Sequence, residues 1–245
     1  MLLKKKVVGL SVYEDWFEDE IMKAKNSFLL YQYIDCTVET KNPFFIKRQQ
    51  YTIVNNLEGN LDGIFSSFKK ISRNCINKIS KREAVTYRFN SITDEEFRIF
   101  YNEFAKQKNF PMMHDSLLSN FNGNVLYVSG YIDNELSNIH IYIFDNDKKI
   151  ARFMHSVSII HGIDDSAKRN LIGCINRYLY WQTIVYFHKK GYLAMDMGGY
   201  SNDENDKAKA GINQYKKSFS GEIIKIFYYQ SLPFYILSKI KSLFK

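Results

Sequence analysis

The sequence has little of what marks a disulfide-rich, zinc-binding or membrane-spanning protein. Its three cysteines, Cys36, Cys75 and Cys174, lie far apart and form no CxxC pair, which argues against a zinc ribbon or a small disulfide scaffold. We therefore expect reduced, mostly buried thiols in a cytoplasmic protein. No run reaches the roughly 18 apolar residues of a membrane-spanning helix, and the early carboxylates Glu14 and Asp15 are not typical of a signal peptide.

Proline is also scarce, at three residues, and neither an internal repeat nor a low-complexity segment interrupts the chain. At 245 residues, 45% hydrophobic and 16% aromatic, the chain is long enough for one large or two small globular domains. Lysine and arginine number 34 against 26 acidic residues, a formal charge of 34 − 26 = +8. This excess of cations favours an anionic partner, such as nucleic acid, a phosphorylated cofactor or acidic lipid.

The first third of the sequence predicts strands followed by a basic helix. Two β-branched and aromatic runs in 28–54 predict two strands or a hairpin. Apolar residues then recur at helical spacing over 61–82, which predicts one amphipathic helix. Its polar face is basic and carries no acidic residue between Gly63 and Arg82; its cations are Lys69, Lys70, Arg73, Lys78, Lys81 and Arg82. Such a face is either simply solvated or a landing surface for tRNA or another anionic donor.

From Ala84 onward the predicted order is β-α-α-β-β-β-α-β-α-β. Thr93 and Glu96 have capping-box spacing at the start of the first helix, and a short helix is expected over 112–121. Three strand-like runs over 124–160 predict an antiparallel meander. A long amphipathic helix should end at Gly191, before a strand at 192–197, a helix ending near Lys217 and a last strand at 222–229.

This element order resembles the GNAT acyltransferase fold, and two motifs resemble its Fem-type branch, which builds peptidoglycan bridges. The helix "LDGIFSSFKKISRNCINKISKR" resembles that branch's L-x-x-I-W…R-x-x-I-R-K-A pattern at Arg73, Ile76 and Lys78. The stretch "GYLAMDMGGY…AGINQYKKSFSGE" resembles its G-x-x-x-x-D-x-G-G…G-I-x-x-F-K-x-x-F-G-G-E pattern. The matching positions are Gly191, Asp196, Gly198, Gly199, Gly211, Ile212, Lys216, Phe219, Gly221 and Glu222. Tyr215 and Ser220 depart from it, standing where the branch has Phe and Gly.

The resemblance implies an α/β (α+β) fold with a GNAT-like mixed, mostly antiparallel sheet flanked by helices. Because the chain is shorter than the two-lobed bridge enzymes, we expect one full lobe and a reduced N-terminal strand-helix extension. The expected boundaries are 1–83 for the N-terminal strands and basic helix, 84–230 for the acyltransferase lobe, and 231–245 for a basic amphipathic tail. The tail alternates large apolar residues with lysines, a pattern suited to lying on an acidic membrane or to packing on the domain.

The resemblance also implies where an acyl donor would bind. Backbone N–H groups of the strand over 149–160 would polarise the acyl carbonyl. The phosphates of coenzyme A would lie at the start of the long helix, with Arg169, Asn170 and Gly173 as ligands; Gly198, Gly199 and Lys216 are further candidate donor-binding residues. Asp164 and Asp165 bring negative charge to that helix start, and the glycine spacing there departs from the family's pattern.

Three residues are candidates for proton transfer. Tyr215 is the first candidate for the acid that protonates the leaving thiolate or tRNA hydroxyl, although in the Fem-type branch this position is a packed aromatic. His155 and Asp196 are candidate general bases. Each has a structural alternative, since His155 could be a hydrogen-bonded core residue and Asp196 could cap the Gly198–Gly199 turn.

No metal site is expected, because the remaining histidines, His114, His140, His161 and His188, lack metal-ligand spacing. The sequence therefore predicts an N-acyltransferase that moves an acyl group, preferably from acyl-CoA, to an amine of a cell-envelope sugar or peptide. The alternatives are an aminoacyl-tRNA-dependent peptidoglycan-bridge transferase and a catalytically silent lobe that binds anions or membrane. The expected location is the cytoplasm, with peripheral contact at the inner membrane surface through the tail.

Overall fold

The computed structural model describes residues 1–7, 9–18, 24–113, 121–158, 164–203 and 207–243. The chain divides into two compact units, one formed by Met1–Thr52, Gly199–Asn202 and Ile223–Lys245, and the other by Ile53–Gly198 and Asp203–Glu222. Two strands, Phe45–Asn56 and Ala194–Tyr200, contribute residues to both units. In the described residues no helix is long and apolar enough to cross a membrane.

The first unit is a strand layer with one terminal helix. Its elements are β1 (Leu2–Val7), β2 (Leu10–Trp16), a 3₁₀ helix (Ala24–Phe28), β3 (Leu30–Cys36), most of β4 (Phe45–Asn56), most of β10 (Glu222–Ser231) and α6 (Leu232–Leu243). The strand order is β1-β2-β3-β10-β4. β2 and β3 are parallel, whereas β1–β2 and β3–β10 are antiparallel. An aromatic core formed by Tyr31, Tyr33, Cys36, Phe45, Phe227 and Tyr229 stabilises the layer.

The second unit has a mostly antiparallel sheet with helices on both faces. Its elements are α1 (Leu61–Ser67), α2 (Lys70–Ser80), β5 (Val85–Phe89), α3 (Asp94–Lys108), β6 (Val125–Ile132), β7 (Glu135–Asp145), β8 (Ile150–Ser158), α4 (Ser166–Lys189), β9 (Ala194–Tyr200) and α5 (Lys207–Lys217). From the end of β4 the strand order is β4-β9-β8-β7-β6-β5. β8 and β9 are parallel, while β5 to β8 pair antiparallel.

The two sheet faces of this unit follow the alternation along β7. Ile139 and Ile141 pack with Phe97 of α3. Asn138, His140 and Tyr142, which alternate with them, are fully buried on the opposite face, where Asn138 bonds to α4. Period-two alternation with both sets buried is what a strand covered by helices on both faces requires.

The predicted fold class is confirmed: the protein has a mixed, mostly antiparallel sheet flanked by helices. Its described elements follow the GNAT-like order expected from Ala84 onward. The meander is confirmed as β6, β7 and β8. Thr93 and Glu96 form the predicted capping box, and Gly191 follows α4 with a φ of 72°. The two strands predicted in 28–54 are β3 and β4, and β10 lies between them.

The structure differs from the sequence prediction in two of these elements, and a third is not tested. The single helix expected over 61–82 is two helices, because Phe68 and Lys69 are extended; Phe68 is buried, and Lys69 N donates to Ser218 O at 3.0 Å. No strand is predicted before residue 28, yet β1 and β2 pair over six residues. Most of the helix expected over 112–121 lies outside the described residues.

The expectation of three reduced cysteines is wrong for two of them. Cys75 of α2 and Cys174 of α4 form a disulfide, with their Cα atoms 4.8 Å apart. Cys36 is buried and takes no part in this bond. Sequence spacing could not reveal this bond, because 99 residues separate its ends and only the packing of α2 on α4 brings them together.

Candidate active site

The parallel strands β8 and β9 pair over only three residues. Residues 150–152 of β8 pair with residues 194–196 of β9, and their register stops there. β8 itself continues to Ser158. Beyond Arg152, the backbone N–H and C=O groups on the β9 side of β8 therefore lie outside the hydrogen-bonded ladder that joins the two strands. This is the stretch in which the resemblance places the N–H groups that polarise an acyl carbonyl.

One extra residue in β8 changes which side chains share a face. His155 and Phe153 pair with consecutive residues of β7, which leaves Met154 as a β-bulge. Side chains alternate along a regular strand, so residues 152 and 155 would otherwise lie on opposite faces. The bulge brings His155 onto the same face as Arg152, the face that α3 covers.

Asp196 anchors the end of the paired segment. Its carboxylate accepts from Arg152 Nη1 at 2.9 Å through Oδ2 and from the Gly198 amide at 2.6 Å through Oδ1. The side chain is buried, with 3% of the residue exposed. Its charge is thus balanced by Arg152, and the structure gives Asp196 the turn-capping contact that was one of its two expected roles.

Lys216 of α5 reaches the same turn. Its Nζ donates to the Gly198 carbonyl oxygen at 2.9 Å. Burial lowers the Lys216 pKa to about 8; the Arg152 guanidinium acts in the same direction and the Asp196 carboxylate opposes it. An amine with such a pKa is mostly a cation at neutral pH and becomes neutral just above it.

Gly198 makes this arrangement sterically feasible. Its φ is +75°, a left-handed conformation that glycine adopts without strain. A Cβ atom there would lie 3.2 Å from the Phe153 carbonyl oxygen and 3.8 Å from Lys216 Nζ. Gly198 therefore lets the chain pass close to β8 while its carbonyl oxygen accepts from Lys216.

Tyr215 precedes Lys216 but contacts α4. Its hydroxyl donates to the Asn176 carbonyl oxygen at 3.3 Å, and the Arg177 guanidinium lies 5.1 Å from its ring centre. The ring also packs edge-on against Phe219. Burial raises the pKa of Tyr215 well above its ordinary value, an effect that Arg177 opposes, so the phenol keeps its proton at neutral pH.

His155 lies in an aromatic environment on the α3-covered face. Its ring contacts Phe97 and Tyr101, with centroid distances of 6.1 and 5.6 Å. Burial lowers its pKa, which favours the neutral imidazole. His155 Nε2 and the Tyr127 hydroxyl are both buried without a hydrogen-bond partner among the described residues. Tyr127 and His155 both pair with Ile141, from the strands on either side of it. These two polar atoms therefore belong to residues at the same register position across the sheet.

The start of α4, where the phosphates of coenzyme A are expected, carries an acidic cap. The Asp165 carboxylate caps the helix, accepting from the Ala167 amide at 2.8 Å, and so takes a backbone donor that a phosphate would use. Asp164, Arg169 and Asn170 are exposed. Residues 159–163 lie outside the described ranges. The expected ligand set, Arg169, Asn170 and Gly173, therefore surrounds a helix start that already holds an anion.

A cavity of about 470 Å³ lies beside this helix start. Charges of both signs line it; the charged residues are Lys78, Arg82, Asp133, Glu135, Asp165 and Lys168. Three cations facing three carboxylates do not form the concentrated positive field that a pyrophosphate would need. The cavity thus adds no support for coenzyme A.

A polar network in the core of this unit has no counterpart in the predicted site. Asn176 Oδ1 accepts from Asn138 Nδ2 at 2.7 Å and lies 3.0 Å from His140 Nε2, while His140 Nδ1 lies 3.1 Å from the Tyr142 hydroxyl. Burial lowers the pKa of His140 to about 4. A neutral ring that donates through Nε2 and accepts at Nδ1 satisfies every contact.

This network was detectable in the sequence. The run "NIHIYIF" alternates strictly between apolar residues and Asn138, His140 and Tyr142, which predicts three polar side chains on one buried strand face. Asn176 carries no comparable signal, since only the packing of α4 on β7 brings it to them.

The other histidines are separate from the site. His188 Nε2 lies 2.8 Å from the Gly59 carbonyl oxygen, while His114 and His161 lie outside the described residues. Within the described ranges, no group of three or more His, Cys, Asp or Glu side chains could hold a metal ion.

The fold is that of known proteins, although no family model matches the sequence and no curated protein matches it. FemX shares 13% identity, with a TM-score of 0.64 over 96% of this chain and 85% of its own. The C-terminal domain of a putative lysylphosphatidylglycerol synthetase from Agrobacterium fabrum shares 9%, with a TM-score of 0.57 over 94% and 80%. L-PGS from Bacillus licheniformis shares 11%, with a TM-score of 0.55 over 96% and 83%. The resemblance to the Fem-type branch is thereby confirmed at the level of the fold.

Proposed function

We propose that the protein transfers an aminoacyl group from an aminoacyl-tRNA ester to an amine of a cell-envelope sugar or peptide. The amine nitrogen forms a bond to the ester carbonyl carbon, and the bond from that carbon to the ribose oxygen breaks. One proton leaves the amine and one arrives on the released ribose oxygen. The observation that supports this proposal most directly is the Lys216 amine at the Gly198 carbonyl, where β8 and β9 stop pairing.

Lys216 supplies positive charge to the intermediate. Attack on an ester places a negative charge on the carbonyl oxygen, and a cation in a partly buried site stabilises that charge strongly. The Arg152–Asp196 ion pair at 2.9 Å holds the turn that Lys216 contacts. In this role Lys216 acts protonated, so the rate should fall as pH rises through about 8.

His155 and Tyr215 are the proposed base and acid. The neutral imidazole of His155 offers Nε2, which has no partner among the described residues, to the proton of the acceptor amine. The Tyr215 phenol keeps its proton at neutral pH because burial raises its pKa, and would protonate the leaving oxygen. Asp196 is a positioning residue, since its oxygens bond to Arg152 and Gly198.

The choice of an aminoacyl-tRNA donor in this proposal rests on two features, the start of α4 and the surface of α2. The Asp165 cap disfavours a pyrophosphate, which makes acyl-CoA, the donor preferred from sequence, the weaker choice. Exposed cations of α2 and its flanks, Lys69, Lys70, Lys78, Lys81 and Arg82, suit an RNA backbone. The putative lysylphosphatidylglycerol synthetase supports transfer of an aminoacyl group, since its name describes a lysyl-bearing product.

Donor choice can be tested by thermal shift and by transfer. The purified chain would be heated with acetyl-CoA, with a long-chain acyl-CoA, and with total aminoacylated or deacylated tRNA. We expect stabilisation by tRNA and none by either thioester. Movement of radiolabelled amino acid from tRNA to a muramyl pentapeptide would then show transfer. Stabilisation by acetyl-CoA alone would reverse the donor assignment, and no response to any ligand would favour a silent lobe.

Lys216 can be tested against its neighbour. Lys216→Met should lower the transfer rate about 10²- to 10³-fold, whereas Lys217→Met, which removes the exposed charge next to it, should leave the rate within about twofold. Lys216→Arg should restore part of the rate and shift the falling limb of the pH profile above 8. Equal rates for Lys216→Met and wild type would remove Lys216 from the mechanism.

The proton-transfer roles have their own controls. His155→Gln should lower the rate about 10²-fold or more, and wild type should show its acidic limb below pH 6.5, because burial lowers the His155 pKa. Tyr215→Phe retains the ring that packs on Phe219 and removes only the hydroxyl. Full turnover by Tyr215→Phe would refute the acid role and leave Tyr215 as a packed aromatic.

A further inference from the structure

The terminal helix α6 is apolar but poorly buried. Seven of its twelve residues are large and hydrophobic; they are Leu232, Phe234, Tyr235, Ile236, Leu237, Ile240 and Leu243. None of the side chains described in this helix is buried. A helix of this composition usually hides one face against a core, so its exposure calls for a partner.

The exposed part of α6 forms a stripe. Leu232, Ile236 and Ile240 recur every four residues and are 37%, 56% and 47% exposed. Residues at this spacing lie on one side of a helix. Phe234 and Leu237 are half-buried, which places the opposite side of α6 towards the first unit.

Two aromatic side chains lie beside the start of this stripe. Phe28, which ends the 3₁₀ helix, is 78% exposed, and Phe44, just before β4, is 51% exposed. Their ring centroids are 6.4 Å apart. The Leu232 amide donates to the Phe44 carbonyl oxygen at 3.2 Å, and Ser231 Oγ donates to the Leu29 carbonyl oxygen at 2.6 Å. These bonds hold three chain segments together. Their exposed side chains form one apolar patch, made of Phe28, Phe44, Leu232, Ile236 and Ile240.

The segments that form the apolar patch are basic. Residues 24–34, 40–48 and 232–243 contain no Asp or Glu, and their cations are Lys25, Lys41, Lys47, Arg48, Lys239 and Lys241. Lys47 is paired with Glu39, which lies just outside these segments. Apolar side chains flanked by lysines are the pattern that binds the interface of an anionic bilayer.

We propose that the apolar patch inserts into the headgroup region of an anionic lipid bilayer, with the surrounding lysines on the lipid phosphates. The positive charge of these segments favours an anionic bilayer over a second copy of the chain, because two copies meeting through the patch would bring like charges together. The inference goes beyond the proposed transfer reaction, and it extends the membrane contact expected of residues 231–245 to Phe28 and Phe44.

Vesicle binding tests the proposal. The chain would be sedimented with phosphatidylcholine vesicles and with vesicles that also contain phosphatidylglycerol. We expect binding only to the anionic vesicles, weakened by added salt. The double variants Ile236→Ser/Ile240→Ser and Phe28→Ser/Phe44→Ser should each lower the partition coefficient about tenfold or more. Ile99→Ser, which removes an equally exposed isoleucine from α3, should bind as wild type does.

A second measurement reports insertion directly. Phe28→Trp should show a blue-shifted emission with anionic vesicles and quenching by lipids brominated on the acyl chain. Equal binding of wild type and both double variants, or no binding at all, would overturn the proposal. Self-association that these variants abolish, without vesicle binding, would identify a second copy as the occupant. Aminoacyl transfer measured without lipid should be unchanged in both double variants, so this test is separate from that of the proposed function.

Discussion

At the scale of single residues, Gly198 has the backbone conformation that both the turn and the lysine contact require. Gly198→Ala should lower the free energy of unfolding by about 1–3 kcal/mol, since alanine would be strained at a φ of +75° and would press on the Phe153 carbonyl. Urea denaturation would measure the loss.

Gly199→Ala is the matched control for Gly198→Ala. A Cβ at Gly199 meets nothing within 4 Å, and its φ lies outside the left-handed region. The free energy of unfolding of Gly199→Ala should stay within about 0.5 kcal/mol of the wild-type value. Equal losses for the two alanine variants would mean that the close approach at Gly198 does not limit stability.

His140 should make the protein sensitive to mild acid. Its pKa is about 4 in the fold and near 6.5 in an unfolded chain. Between these values the unfolded state binds the proton and the folded state does not, so stability falls as pH drops from about 6.5 to about 4. The full effect is about 3 kcal/mol. His140→Gln should flatten this part of the curve of stability against pH, whereas His188→Gln should retain it.

At the scale of elements, sequence patterns predicted the main lobe well because its signals are local. The capping box at Thr93 and the glycine at 191 mark helix ends through contacts within a few residues. The break at Phe68 depends on Ser218, 150 residues away along the chain, and so has no local signal. β1 was missed because Lys4, Lys5 and Lys6 interrupt its apolar alternation.

The candidate site likewise combines features that a local sequence motif predicts with features that only the assembled sheet produces. Asp196, the double glycine and Lys216 belong to one motif, and the structure brings them together. Strand register produces the Arg152 partner of Asp196, the bulge at Met154 and the position of the Tyr127 hydroxyl, which lacks a hydrogen-bond partner among the described residues. Register across strands is set by the assembled sheet, which a single sequence does not display.

The disulfide between α2 and α4 gives a prediction at this scale. Alkylation of the unfolded chain without reductant should label Cys36 alone, and reduction beforehand should raise the count to all three cysteines. Cys75→Ser/Cys174→Ser should lower stability by about 2–4 kcal/mol. Three labels without reductant, on protein purified without thiols, would contradict the bond.

At the scale of the whole molecule, the formal charge of +8 should make donor binding depend on salt. If α2 contacts tRNA phosphates, the triple variant Lys70→Gln/Lys78→Gln/Lys81→Gln should bind with a weaker dependence on salt. The slope of log K against log salt is negative, and its magnitude should fall by about 2–3. Filter binding at several salt concentrations would measure it. The control Lys106→Gln/Lys108→Gln/Lys189→Gln removes the same charge from other helices and should keep the slope. Equal slopes for both triple variants would place the tRNA elsewhere.

Chain connectivity limits how the molecule can be divided. The first unit is built from three separate stretches, ending with Ile223–Lys245, so the chain leaves and re-enters it twice. Truncation at any boundary between the two units would remove strands from a sheet rather than release an intact unit. Experiments on the active site therefore need the full chain.

The bond between Cys75 and Cys174 closes the intervening chain into a covalent ring that contains α3 and the strands β5 to β8. A protease that cuts once inside this ring, for example in the segment between α3 and β6, leaves both fragments attached to each other. Such a nick would be invisible on a gel run without reductant and would appear as two bands once thiol is added. Release of a fragment from inside this ring would thus require either two cuts or reduction of the bond.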